Sequence, residues 1–246
     1  MQKYVVDINV DVGEGVGNES QLIPHVSSCN IACGGHAGNS KTMRKVVKLA
    51  HQHRVKIGGH PSFPDIENFG RKAMHMPCVA LFASLKAQIN DLMAIIKQEK
   101  ALLHHVKPHG ALYNMAVTNP KIATTIIEVM DSIGLPIKLY VPYNSVIETL
   151  ALENNIPITY EAFADRNYNN DLTLVSRSGK DALIHDSDAM FEHVYRMISK
   201  QKVKTISGAE VAIKAETVCL HGDNLHAVDL LKKLRINLES KGIKIV

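Results

Sequence analysis

Short apolar runs alternate along the chain with longer segments in which apolar residues recur every three or four positions, so strands and helices take turns. Residues 4–10 read as a first strand and residues 28–32 as a short second one. Residues 40–53 read as a helix, with Met43, Val46, Val47 and Ala50 on one face and Asn39 or Ser40 available as its cap. A strand over 56–59 follows, then a loop rich in Pro and Gly, then a long helix over about 79–103 that carries Phe82, Leu85, Ile89, Leu92 and Ile96 at helical spacing. His51 and His53 fall on the first helix and His104 and His105 just past the second, so all four read as surface or packing residues.

The segment Val106-Lys107-Pro108-His109-Gly110 looks like a strand ending in a sharp turn. The next helix is punctuated by Asn119 as N-cap, Pro120 at its first position and Gly134 just past its end. Pro136 and Pro157 each stand where a helix must stop and a strand begin. The last helices are expected over 187–202 and 224–240, with strand-like residues 205–220 between them and a hairpin near Gly208. Strands alternating with helices at this rhythm predict βαβ units and a mainly parallel sheet. About seven such units favour an irregular (β/α) barrel over an open sheet, built as one domain over 1–246 because no low-complexity linker divides the chain.

Composition narrows the function classes. Hydrophobic residues make up 46% and charged residues 21%, which suits a folded globular chain. The net charge of +4 is spread out. Its nearest cluster, Lys200, Lys202 and Lys204, reads as a solvated face, and the absence of Trp and of basic–aromatic interleaving argues against nucleic-acid binding. No apolar run is expected to approach the ~20 residues that span a bilayer, and residues 1–4 lead into a strand rather than a signal peptide. Four cysteines without a CxxC pair suit a reducing cytoplasm.

The first strand also carries chemistry. Alternation puts Val6, Ile8 and Val10 on one face and Asp7, Asn9 and Asp11 on the other. That is either an antiparallel strand with one wet face or a barrel strand whose polar face points inward, which is costly unless it binds something. Histidines recur where strands end: His36, His60, His109 and His221, each beside Gly or Pro. The C-terminal strand ends form the active-site rim of parallel α/β folds, so four histidines in that slot, near Asp7 and Asp11, point to one polar site. Such a group either holds a divalent metal, with Asp11, His60 and His109 as candidate ligands, or works without one by general acid–base catalysis. Residues 35–42 miss the second glycine of a P-loop at Ser40, and residues 13–18 miss GxGxxG at Asn18, so neither supports nucleotide binding. A GxSxG elbow is absent.

These same residues carry a resemblance. Asp7-Ile8-Asn9-Val10-Asp11-Val12-Gly13-Glu14, Asn30-Ile31-Ala32-Cys33-Gly34-Gly35-His36-Ala37-Gly38, His60-Pro61 with Phe69-Gly70-Arg71, Lys107-Pro108-His109-Gly110-Ala111-Leu112-Tyr113-Asn114, Glu161-Ala162-Phe163-Ala164-Asp165-Arg166 and His221-Gly222-Asp223-Asn224 occur in order along the chain. The chain therefore resembles the LamB/YcsF family, whose proteins serve as the A component of bacterial 5-oxoprolinase. The resemblance implies a barrel related to the glycoside hydrolase/deacetylase group. It also implies the conversion of 5-oxo-L-proline, ATP and water to L-glutamate, ADP and phosphate with partner subunits B and C, which would handle most of the ATP. It casts His109 or His60 as the group that activates water, Asp11 as its aid and Lys107 as the stabiliser of developing negative charge. Substrate contacts fall to Asp7, Asn9, Glu14, Asn30, His36, Arg71, Tyr113, Asp165, Arg166 and His221. Ser62, Asn68, Lys72, Leu172 and Ser176 depart from the family's usual residues, which bears on substrate preference more than on hydrolysis. Two other readings stand beside this one: a stand-alone metal-dependent amidase or deacetylase, and a non-catalytic lactam-binding protein. Assembly with further copies of the same chain is also open.

Overall fold

The computed structural model describes residues 4–223 and 226–246. Its elements, in chain order, are β1 (Tyr4–Val12), α1 (Glu19–Leu22), β2 (Ser28–Ala32), α2 (Ser40–Gln52), β3 (Lys56–His60), α3 (Cys78–Gln98), β4 (Leu103–Val106), α4 (Gly110–Ala116), α5 (Pro120–Ile133), β5 (Lys138–Pro142), α6 (Val146–Glu153), β6 (Ile158–Phe163), α7 (Ser187–Lys200), β7 (Lys202–Lys204), β8 (Glu210–Ala212), β9 (Thr217–Leu220), α8 (Ala227–Ser240) and β10 (Ile243–Ile245). Strands β1 to β6 pair in sequence, and β9 pairs with both β6 and β1, which closes a parallel barrel of seven strands. The irregularity lies at β1: its residues Tyr4 to Val6 pair with β10, and Asp7 to Val10 pair with β9. The short β7–β8 hairpin stands apart as an antiparallel pair.

Outside the strands the helices pack in two apolar clusters. One joins α2, α7 and α8 to the strands through Val46, Met190, Val194 and Leu234; the other gathers Leu85, Ile89, Ile126 and Leu139 from α3, α5 and β5. Asn39 caps α2, Asn119 and Pro120 start α5, and Gly134 ends it in the left-handed region (φ 67°), as the sequence pattern predicts.

Two boundaries differ. Helix α3 stops at Gln98, Lys100 turns the chain with φ 54°, and 103–106 is strand rather than helix. Apolar residues continue through Ala101, Leu102 and Leu103, and in so short an apolar run periodicity does not separate buried strand from helix. As a result His104 and His105 lie on β4, and His105 is wholly buried. Helix α7 likewise ends two residues early, and the expected start of the last helix at Asn224 lies outside the described residues. Against the expectation of no such segment, α3 has 21 residues and enough apolar character to match a membrane span by length and composition. Leu81, Leu85, Ile89, Leu92 and Ile96 make one buried face of it, packed on α2, α5 and β3, as in a barrel helix.

Candidate active site

Parallel barrels usually fill their interior with layers of branched apolar side chains. Here β1 turns Val6, Ile8 and Val10 to the helices, while Asp7, Asn9 and Asp11 are buried with polar partners from the neighbouring strands. The inward reading of β1 holds, and the registers explain the partners. Asp11 lies opposite Asn30, Asn30 opposite Gly58 and Gly58 opposite His105, so four strands contribute one level. Asn30 Nδ2 donates to Asp11 Oδ1 (2.8 Å) and Asn9 Oδ1 (2.7 Å), and Asn30 Oδ1 meets His105 Nε2 at 2.7 Å. Gly58 is the gap that admits the imidazole: a Cβ there would sit 2.1 Å from His105 Nε2. Below this level Ser28 and Thr217 both donate to Asp7 Oδ1 at 2.6 Å, and Lys56 pairs with its other oxygen at 3.2 Å.

Lys107 follows β4 and places its ammonium in the barrel, 2.9 Å from Asp11 Oδ1, 3.0 Å from Glu161 Oε1 and 3.0 Å from Cys219 Sγ. Burial alone would lower the lysine, but Asp11, Cys219 and Glu161 hold it well above its usual value. Burial alone would raise the Asp11 carboxyl, but His60 and Lys107 keep it well below the ordinary carboxylate range. Both groups are therefore charged, and each is the condition for the other.

At the C-terminal mouth three histidines and Glu14 converge, the only such group among the described residues, with one ligand atom from each within 4.8 Å of the rest. His36 Nε2 lies 2.9 Å from Glu14 Oε1, and His109 stacks on His36 with centroids 3.7 Å apart. His60 Nδ1 is 2.7 Å from the Lys107 carbonyl, and His109 Nε2 is 2.9 Å from the Phe69 carbonyl. Since a carbonyl only accepts, each ring must donate there. His109 is kept neutral by burial and by the neighbouring His60 and His36 rings, so its one proton is already used. Its Nδ1 then presents a lone pair to His60 Nε2, 2.9 Å away. A proton or a cation between these two nitrogens completes the contact. With Glu14 Oε1 3.5 Å from His109 Nδ1 and 3.9 Å from His60 Nε2, the set has the donor types and compactness that suit a divalent metal. The backbone carbonyls behind both rings are the outer contacts such ligands use. A tight turn builds this corner: Gly110 (φ 55°) lies so close to the Gly70 carbonyl that a Cβ would meet its oxygen at 2.6 Å.

The mouth opens into a pocket of about 270 Å³ with Asp11, His60, Lys107 and His109 on its lining. Arg71, Arg166 and Arg177 are also on its wall. Arg166 is buried against the carbonyls of Val175 (2.6 Å) and Ala182 (3.4 Å), and burial together with Arg177 pushes it down to about 10. Among the described residues no carboxylate forms an ion pair with Arg166 or Arg177, whereas Arg71 pairs with Asp223. This side of the pocket suits an anionic group. His221, paired to Asp165 at 2.9 Å and stacked on Phe163, completes the wall.

The structure thus brings Asp11, His60, Lys107, His109, Arg71, Tyr113, Arg166 and His221 to one pocket, with Glu14 and His36 beside it and Asp165 behind His221. Asp7, Asn9 and Asn30 are buried deeper and act through the ladder rather than on the pocket lining. Of the candidate ligands, His60 and His109 stand in the four-residue group with Glu14 and His36. Asp11 lies beside it, Oδ2 3.5 Å from His60 Nε2, with Oδ1 engaged by Lys107 and Asn30. His105, read from the sequence as a surface or packing residue, and Glu161, which entered only within a family block, were not among the candidate site residues. For Glu161 the signal was present, since Thr159 and Glu161 repeat on β6 the alternation seen on β1.

A closed parallel barrel with a histidine–carboxylate cluster at the C-terminal strand ends has its candidate site where barrel enzymes keep theirs. The model of the LamB/YcsF family matches residues 6–246, and the chain belongs to that family. It is 42% identical over 246 residues to the A component of the 5-oxoprolinase of Bacillus cereus (strain AH187), covering 98% of this chain and 97% of the relative. The crystal structure of the lactam utilization protein from Thermus thermophilus superposes with a TM-score of 0.92 at 34% identity, covering 98% of each chain. A GH113 β-1,4-mannanase (TM-score 0.54, 10% identity) and the T48 deacetylase (0.52, 13%) share the fold alone, which bears out the expected barrel relationship.

Proposed function

We propose that this chain is the ring-opening component of an ATP-dependent 5-oxoprolinase, converting 5-oxo-L-proline, ATP and water to L-glutamate, ADP and phosphate with partner subunits B and C. The relatives' names supply the substrate class, and the observation that carries the reading is the juxtaposition of neutral His109, His60 and the Asp11–Lys107 pair at the floor of an arginine-lined pocket. An unstrained five-membered lactam resists hydrolysis, so phosphorylation of its amide oxygen is the natural use of ATP. No P-loop is present, which leaves the nucleotide mainly to the partners. His109 or His60 takes the proton of the attacking water. Lys107 stabilises the charge that develops on the carbonyl oxygen, and the arginines hold the substrate carboxylate or the phosphoryl group. Three buried free thiols, Cys29, Cys33 and Cys219, favour a reducing cytoplasm.

The convergence of Glu14, His36, His60 and His109 supports a second reading, a metal-dependent amidase. A divalent metal on Glu14, His36, His60 and His109 would acidify bound water and polarise the carbonyl. His109→Ala, assayed for glutamate release in a mixture with B and C, should lose activity by ~10²-fold or more. Full turnover in that variant would show that this pocket is not catalytic. Elemental analysis of the purified chain separates the two readings: stoichiometric metal, lost in His36→Ala, selects the second.

A further inference from the structure

Beside the main pocket lies a second compartment of about 120 Å³, which shares Tyr113, Asn114, Phe163 and Leu174 with it. Its wall is mostly apolar, and Leu172, in the left-handed region (φ 65°), stands on it. Two buried polar atoms on this wall, Glu161 Oε2 and the Tyr113 hydroxyl, make no hydrogen bond of good geometry among the described residues, and the two groups lie close enough to interact with each other. Glu161 Oε1, by contrast, receives Lys107 Nζ and Asn9 Nδ2, each at 3.0 Å. Burying one carboxylate oxygen without a well-formed hydrogen bond, next to apolar walls, is costly unless a ligand supplies a donor. Burial and the neighbouring Glu161 charge raise the Tyr113 hydroxyl, so it stays protonated as a donor.

Resting on the 5-oxoprolinase reading, we propose that Glu161 Oε2 is the acceptor for the ring N–H of the cyclic amide and that Tyr113 donates to its carbonyl oxygen. A five-membered lactam is a cis amide and presents N–H and C=O along one edge. An acceptor and a donor side by side match that edge. Lys107 bridges Glu161 to Asp11, so a ring held here has its carbonyl carbon toward the Asp11–His60 corner. Glu161 forms and breaks no covalent bond; it selects a ring that carries an N–H, and it keeps hold of the nitrogen as that becomes an amine.

The test compares 5-oxo-L-proline with the corresponding lactone acid, in which a ring oxygen replaces the N–H, in the mixture with B and C. The wild type should show a lactone inhibition constant at least tenfold above its KM for the lactam. Glu161→Gln should raise that KM about tenfold, as a charge-assisted bond becomes a neutral one, and move the lactone constant less than twofold. Tyr113→Phe leaves the Lys107 contacts in place and should weaken both compounds, since both keep the carbonyl. Equal shifts for lactam and lactone in Glu161→Gln, or none, would overturn the inference while leaving the functional reading intact. Absence of glutamate in the wild-type mixture would remove both.

Discussion

Lys107 is held between two carboxylates that would otherwise face each other in the interior. Replacing it by Met leaves Asp11 and Glu161 buried without their cation, a change that typically costs about 3–5 kcal/mol. Lys107→Met should therefore abolish turnover and lower the urea midpoint, and a variant as stable as the wild type would show that the pair is not a structural element. The histidines give a pH signature. Burial lowers His105 well below its ordinary 6.5 and takes His193 to about 4. As pH falls from 6.5 the unfolded chain binds these protons before the folded one does. Stability is thus full above 6.5 and declines toward 4, by at most about 1.4 kcal/mol per pH unit for each group. Urea unfolding at a series of pH values checks the sign, and a midpoint that rises on acidification through this window would contradict it.

At the scale of elements, β1 was the most legible part of the chain. Its alternation, with two carboxylates and an amide on one face, already presented a choice between water and a polar interior, and the histidines at later strand ends pointed to the second. β4 was not legible. Leu102 and Leu103 prolong the apolar pattern of α3, and the strand that holds His105 is only four residues long. Ligand grouping was beyond the sequence as well: Glu14 and His36 reach His60 and His109 only because glycine turns after β1 and β2 fold both loops over the mouth. Gly58 tests the four-strand level directly. Gly58→Ala puts a Cβ 2.1 Å from His105 Nε2, so the ring must leave Asn30. The expected loss is about 1–3 kcal/mol, or ~2–4 °C in Tm for each kcal/mol. Thermal unfolding of this variant at the wild-type temperature would show that the level is not tightly packed.

Over the whole molecule, the barrel sets a buried ladder of charged and polar groups under an open mouth, and the candidate site lies at the end where the two meet. Helices seal the outside with apolar clusters, which leaves the polar interior to orient Asp11 and Lys107 rather than to stabilise the fold by itself. The arginines at the rim and the Glu161 oxygen beside the Tyr113 hydroxyl inside suit a small ring that bears one anionic group and one N–H. The most direct test is glutamate release from 5-oxo-L-proline and ATP by subunits B and C, with and without this chain. Glutamate is expected only when the chain is added. Equal glutamate release without it, or none from the complete mixture, would contradict the assignment of ring opening to this barrel.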